Sequence, residues 1–367
     1  MNSCDRVRMT LAHISPDRPP ADGTFCPEIW ERLRAYLGSS DDDQILDRLG
    51  FDFRRAVLEP SNEFAATAVP APVEADVGVG SRKLVHMLPN GEFEDDRGIR
   101  RVVGSTGKYF HFVYHPLGGA DSPDANTLPN PDLPERYANL RQQVQRFKDR
   151  YMIQIETGNI FRDAWELRGF EQFLMDTHLN RDFATRLLDR ITDHKIAEVA
   201  RMIEAGADII QMAGDIATEQ SMLVSPAWWR VEIKPRLARV IGATRRPGVY
   251  YYFHSDGAMQ PVMPDLIEIG FDIVDPVQPE CMDPVAIKRQ YGACITLHST
   301  LSSQRTLPFG TIEDVRAEVR GRIRDCGQDG GLILAPSNDV QHDVPLPNLL
   351  AVYDEIMHPM SQTGRQP

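Results

Sequence analysis

From residue 151 onward the chain alternates between short apolar runs and stretches whose apolar residues recur at helical spacing. The runs are 151–156, 207–213, 248–253, 271–277, 294–298 and 331–335. Helix candidates lie between them at 171–176, 181–205, 226–244, 261–269, 284–291 and 312–326. Continuous apolar runs of this length, each followed by a helix, predict strands covered on both faces of a parallel sheet. Six such units, with two further strands from the N-terminal third, predict a (β/α)8 TIM-type barrel with an irregular N-terminal extension. A doubly wound open sheet is the alternative, because periodicity does not report closure.

The first 150 residues carry a different pattern. Apolar spacing predicts helices over 26–37 and 41–49, the second opened by acidic residues as a helix N-terminus prefers. Short alternating pieces follow at 82–87, 99–103 and 109–113, punctuated by Gly and Pro. The segment 116–134, rich in Pro, Asp, Asn and Gly, reads as an ordered surface loop or a lid, and as the best candidate for a mobile element. The expected organisation is one domain: residues 1–150 packed on or contributing to the barrel, and βα units over 151–360.

Composition narrows the function classes. The net charge is −13 and Lys and Arg form no basic stripe. That argues against nucleic-acid binding and against docking on an anionic membrane surface. Five cysteines, an odd number with no CxxC spacing, fit reduced thiols in a cytoplasmic protein. No stretch approaches the length of a membrane-spanning helix, and the N-terminus lacks the apolar core of a signal peptide. Trp228 and Trp229 suit a core or a subunit interface, so a homodimer is one expectation. Dinucleotide, P-loop, zincin, serine-hydrolase and kinase signatures are missing.

In a parallel α/β fold the active site gathers at the C-terminal ends of the strands. Each run here ends in polar residues: Glu156, Thr157 and Asn159; Gly214 and Asp215; His254, Ser255 and Asp256; Asp275 and Gln278; His298, Ser299 and Thr300; Ser337, Asn338 and Asp339. His254 and Asp256 are the sharpest pair. Residues i and i+2 of an extended segment share a side, so an imidazole and a carboxylate would face one pocket. That pair suits a metal ion or proton transfer with the carboxylate orienting the ring. A capping Asp beside a structural His is the plainer alternative. Asp215 follows small residues that let a ligand approach the backbone, although it also suits a turn cap. His254, Asp256 and Asp215 are therefore the catalytic candidates. Glu156, Asn159, Gln278, His298 and Asn338 are candidates for holding substrate. Arg168, and more weakly Arg54, are candidate anchors for an anionic group.

Several strings then resemble one family. They are His254-Ser255-Asp256-Gly257, Pro264-Asp265-Leu266-Ile267-Glu268-Ile269-Gly270, Asp275-Pro276-Val277-Gln278-Pro279, Leu307-Pro308-Phe309-Gly310-Thr311 and Gly330-Gly331-Leu332-Ile333-Leu334-Ala335-Pro336. Upstream, Phe161-Arg162-Asp163-Ala164-Trp165-Glu166-Leu167-Arg168-Gly169 and Asp17-Arg18-Pro19 fit the same pattern. Together they resemble the uroporphyrinogen decarboxylase superfamily, in particular its branch with corrinoid-dependent methyltransferases. The resemblance implies a (β/α)8 barrel with its pocket at the strand C-termini. The Arg-rich motif of the tetrapyrrole decarboxylases is missing, so uroporphyrinogen decarboxylation itself is not expected. Family methyltransferases hold zinc through a His-x-Cys pair and a later Cys. His254-Ser255-Asp256 stands in the first place and Asn338 near the second, so the resemblance implies a zinc set of His254, Asp256 and Asn338. Oxygen ligands in place of thiolates would make the ion a harder Lewis acid.

Ser299-Thr300-Leu301-Ser302 and Ser337-Asn338 replace a Gly-Gly-x-Asp turn and a His that many relatives carry. A kept scaffold with changed pocket residues points to a changed substrate or reaction. The leading expectation is methyl transfer from a small methylated substrate, such as a methoxylated compound, to a corrinoid carried by a partner protein or to another acceptor. A metal-independent decarboxylase or lyase acting on a small carboxylic acid is the second. A non-catalytic ligand-binding barrel is the third.

Overall fold

The computed structural model describes residues 1–72, 84–107 and 109–358. Strand β1 (Phe53–Ala56) is followed by β2 (Val69–Pro70), β3 (Leu84–Met87), β4 (Phe93–Glu94), β5 (Arg100–Val103) and β6 (Phe110–Tyr114). Then come β7 (Met152–Gly158), β8 (Ile209–Ala213), β9 (Tyr250–His254), β10 (Ile273–Asp275), β11 (Thr296–His298) and β12 (Leu332–Ile333). Strands β1, β7, β8, β9, β10, β11 and β12, in that order, form one parallel sheet, while β2 to β6 form a separate antiparallel sheet. The two edges of the parallel sheet meet at Ala21, which bridges to Leu334 on one side and to Phe51 on the other. Asp22 N donates to Leu334 O and Asp52 N to Ala21 O. The result is a TIM-like α/β fold. All six apolar runs are its strands, and the N-terminal third supplies β1 and the link at Ala21.

Alternation along the strands sorts side chains between the inside of the curled sheet and the surrounding helices. Phe53, Met152, Ile209, Tyr252, Ile273 and Ile333 pack together with Cys4 and Val7. These two come from the helix Ser3–Leu11, which plugs the N-terminal end of the strands. Burying side chains of this size contributes about 1.5–3 kcal/mol each. Two residues further along the same strands the inward positions turn polar: Arg55, Gln154, Gln211, His254 and Asp275. The bottom of the sheet is a core and its upper end is a site.

Several expectations change in detail. The stretch 226–244 is two helices, Pro226–Glu232 and Lys234–Thr244. Pro235 lacks the N–H that an unbroken helix needs there. The candidate 171–176 extends to Phe170–Leu179, after a further helix, Ile160–Arg168, capped by Asn159. Residues 82 and 83 of the 82–87 piece lie outside the described residues, and the remainder is β3. The 116–134 segment is strapped down rather than built as a free lid. Arg168 donates to Leu117 O and Ala120 O, Arg190 to Pro123 O and Asn126 O, and His194 Nε2 contacts Pro129 O. Trp229 is fully buried, so it belongs to the core. All five cysteines are unpaired thiols. No described helix is long and apolar enough to cross a membrane.

Candidate functional site

Two loops meet above β8 and β9. Ser255, fully buried just past β9, takes the Ile216 N–H at 3.0 Å on its hydroxyl oxygen and donates to Asp256 O at 2.9 Å. Asp256 N donates to Asp215 Oδ1 at 2.9 Å. Gly257 has φ +90°, and a Cβ there would lie 2.3 Å from Thr218 O. Only glycine lets the 217–218 backbone pass this close. The stitching brings one ligand atom each from Asp215, His254 and Asp256 within 4.8 Å of one another.

His254 is oriented from behind. Its Nδ1 lies 2.5 Å from Asp275 Oδ2, which leaves Nε2 as the ring's remaining nitrogen. Asp275 Oδ1 meets His298 Nδ1 at 2.6 Å, and His298 Nε2 meets Asp22 Oδ2 at 3.1 Å. Arg55 Nη2 closes the chain on Asp22 Oδ2 at 2.7 Å. Burial opposes charge on both imidazoles, yet Asp275 outweighs it at His254, raised to about 10, and Asp275 with Asp22 does so at His298, raised to about 9. Asp275, although burial pushes it up, is held well below the usual carboxylate range by His298 and His254. Asp256 goes the other way: burial raises it to about 6, opposed by His254 and reinforced by Asp215 and Asp275.

The donor set fits a divalent cation. Asp22, Asp275, Asp256 and Asp215 face one guanidinium, Arg55, and two imidazoliums, His298 and His254, so four carboxylates against three cations leave one negative charge. Asp256 Oδ1 is buried and has no hydrogen-bond partner among the described residues. A buried carboxylate oxygen left unpaired is costly. One imidazole nitrogen and carboxylate oxygens at a strand-end pocket are ligands that zinc accepts.

A sequence profile described as Uroporphyrinogen decarboxylase (URO-D) matches residues 127–358. The chain belongs to this family. Two methylcobamide:CoM methyltransferases MtaA are similar in sequence. The one from Methanosarcina barkeri is 27% identical over 190 residues, 52% of this chain and 53% of the relative. The one from Methanosarcina barkeri strain Fusaro / DSM 804 is 26% identical over the same shares. The chain thus matches about half the length of these relatives. A solved methyltransferase from Methanosarcina mazei superposes with a TM-score of 0.70 at 18% identity, covering 98% of this chain and 99% of that one. That likeness concerns the fold.

The other candidates of this URO-D family chain divide by position. Asn338 reaches the triad by donating to Asp256 Oδ2 at 2.7 Å, while its Oδ1 takes Asp339 N. Glu156 shares the inward side of β7 with Met152 and Gln154. His298 is buried within the Asp22–Asp275 chain. Gln278 is buried in the loop after β10, its carbonyl taking the Cys281 and Met282 N–H groups. Asn159 is occupied as a helix cap: Oδ1 takes Arg162 N and Nδ2 donates to Gly214 O. Arg168 is bound to Asp176 at 2.7 Å and lies over the Phe183 ring, so its contacts are those of an anchor for the 116–134 segment. Arg54 points away from the site, toward Asp43, Asp47 and Tyr151. Thr157 also points outward, to Glu198 and Lys195.

Sequence reasoning missed Arg55 and Asp22. Strand parity carries the signal for Arg55, since adjacent residues of β1 face opposite sides and an Arg54 turned outward sends Arg55 inward. Asp22 lies three residues past Asp17-Arg18-Pro19, but its partner His298 is 276 positions away.

A second charged cluster lies on the outward side of β7. Arg97, at the base of the antiparallel sheet, pairs with Asp95, Asp163 and Glu166. Lys195 pairs with Asp163 and Glu198, and Arg136 with Asp96 and Glu198. A cavity of about 60 Å³ lies among them.

Proposed function

We propose that this chain is a methyltransferase that takes a methyl group from a small methylated substrate, of the methoxylated or methylamine kind, to a corrinoid carried by a partner protein or to another acceptor. The reading is carried by the convergence of Asp215, His254 and Asp256 at the strand C-termini of a URO-D family fold. The activity named for its sequence relatives, methylcobamide:CoM methyl transfer, supports it.

His254 Nε2, Asp256 Oδ1 and an Asp215 oxygen would hold a zinc ion. Bound there, zinc would supply a Lewis acid for the heteroatom that gains or loses the methyl group. Around it, Asp275 orients the His254 ring and Asn338 holds the second Asp256 oxygen in place. Ser255 keeps the Asp215 and Asp256 loops together.

Metal analysis of the purified chain before and after chelation, alongside methyl transfer to free cobalamin followed by absorbance, tests this reading. One divalent ion per chain and loss of transfer on chelation are expected. Full transfer by chelated protein would sink the metal-dependent version. One observation favours a second reading, decarboxylation or a related lyase reaction of a small carboxylic acid. Asp256, raised to about 6, exchanges a proton near neutral pH beside His254. Carbon dioxide release by metal-free protein would select that reading.

A further inference from the structure

The chain Arg55–Asp22–His298–Asp275–His254 crosses the inside of the sheet and uses three residues, Arg55, Asp22 and His298, that reach the triad only through others. We propose that His298 is a positioning residue: pinned by Asp22, it fixes the Asp275 carboxylate, and Asp275 fixes the His254 ring with Nε2 turned toward Asp215 and Asp256. This deepens the metal reading above, and only its metal-binding arm rests on that reading.

The geometry carries the assignment. His298 lies between two carboxylates, one at each ring nitrogen, so both nitrogens donate. Its rotation about the ring axis is thereby fixed at both ends. Ser299 Oγ, at 2.6 Å, and Tyr252 OH, at 3.2 Å, also crowd Nδ1. The charged Asp275 oxygen is the strongest acceptor among the three. Ser299 sits at φ +54°, a left-handed conformation that a residue with a Cβ adopts at some cost. Asp275 in turn spends one oxygen on each imidazole, Oδ1 on His298 and Oδ2 on His254. With a single partner it would be free to swing; with two it is held in one plane. Asp22 is itself anchored: it is fully buried, and Arg55 shares its Oδ2 with His298. A carboxylate that hydrogen-bonds an imidazole ligand fixes the ring's tautomer and direction, and changes to such outer partners typically cost 10–100-fold in metal affinity.

Two near-isosteric variants separate the halves of the clamp. The side-chain amide of Asn overlays the Nδ1 of His, so His298→Asn keeps a donor to Asp275 and loses the one to Asp22. The amide of Gln overlays Nε2, so His298→Gln keeps the donor to Asp22 and loses the one to Asp275. The first readout needs no metal. In metal-free protein with labelled histidine, the downfield proton resonance of the His254 Nδ1–H···Asp275 bond is expected to persist in His298→Asn and to shift or vanish in His298→Gln. The second readout is cobalt(II) binding and its visible spectrum. His298→Gln is expected to bind cobalt about 10-fold more weakly with an altered spectrum, and His298→Asn to stay within threefold of the parent chain.

Denaturation curves keep the test honest, because both variants remove one buried hydrogen bond and are expected to lose similar stability. If the His254 resonance is the same in the two variants, the positioning role is overturned. If the parent chain binds no cobalt at all, the metal reading fails, and the proton resonance still decides the role of His298.

Discussion

Two clusters of charge flank β7 and β8, and they are balanced differently. On the outward side, at the base of the antiparallel sheet, Asp95, Asp96, Asp163, Glu166 and Glu198 face Arg97, Arg101, Arg136, Arg162 and Lys195. Five acids meet five bases. On the inward side, Asp22, Asp275, Asp256 and the exposed Asp215 face Arg55 and the His298 and His254 imidazoliums, four acids against three cations. Buried charge is tolerated when it is paired. A cluster that closes on itself is a rivet, and one that ends with unpaired oxygens is built for something that arrives. Both contain perturbed acids, so a shifted pKa alone does not distinguish them. Each holds acids shifted both ways: against burial, Arg97 and Arg162 hold Glu166 down to about 2 while burial raises Asp96, and against burial His298 and His254 hold Asp275 low while burial raises Asp256 to about 6.

The largest effect should come from breaking the rivet. Arg97→Met leaves Asp95, Asp163 and Glu166 with less opposing charge, and removing one partner of a buried pair typically costs about 3–5 kcal/mol. Urea denaturation should show that loss, with metal affinity unchanged in the folded fraction. A loss under about 1 kcal/mol would place Arg97 among ordinary surface pairs and dissolve the contrast. Asp256→Asn should do the reverse. It removes a carboxylate that burial and Asp215 both disfavour, so the metal-free variant should be at least as stable as the parent. Its zinc affinity, measured by competition with a chelator, should fall by about 100-fold or more, the upper end of what even outer-shell changes cost.

A pH series on metal-free protein sharpens the same comparison. The folded pKa of Asp256 lies above its model value of 3.8, so the folded state holds that proton more tightly. Stability from this group is present at low pH and lost as pH rises from about 4 to about 6. Glu166, shifted from 4.5 down to about 2, has the opposite sign. Its contribution is present above 4.5 and lost as pH falls toward 2. Chemical denaturation between pH 2 and 7 should therefore show the Asp256 and Glu166 contributions fading at opposite ends of the range. Asp256→Asn should reduce the decline between pH 4 and 6, to which burial also commits Asp96, Asp272 and Glu318, and leave the acid loss untouched. An unchanged upper decline in that variant would assign it to another group.

The sequence carried the pattern of strands far better than the identity of partners. Apolar runs bounded by helices exposed six strands because each is covered on both faces and its composition shows it. Strand β1 escaped notice because its centre reads Phe53-Arg54-Arg55-Ala56, with one arginine serving the outer layer and the next the inside. The pair His254 and Asp256 was legible from i, i+2 spacing alone. What surrounds it was not, because hydrogen bonds such as Asp22–His298 and Asn338–Asp256 join residues 276 and 82 positions apart. The side chains of Thr157, Asn159 and Arg168 are taken up in the rivet, a helix cap and a loop anchor, contacts with partners that local spacing does not reveal.

The smallest predicted effect decides which third residue completes the metal set. Family resemblance points to Asn338, whereas proximity points to Asp215. Asn338 donates to Asp256 and turns its own oxygen to Asp339 N, so as a supporting residue its loss removes one exposed hydrogen bond. Such a bond is worth about 1 kcal/mol, and Asn338→Ala should weaken zinc binding by less than tenfold. Asp215→Ala, removing a carboxylate from the ligand set, should approach the loss seen in Asp256→Asn. Reversal of that order would make Asn338 the ligand. Asp215 would then be the partner that merely steadies the Asp256 backbone through its 2.9 Å hydrogen bond.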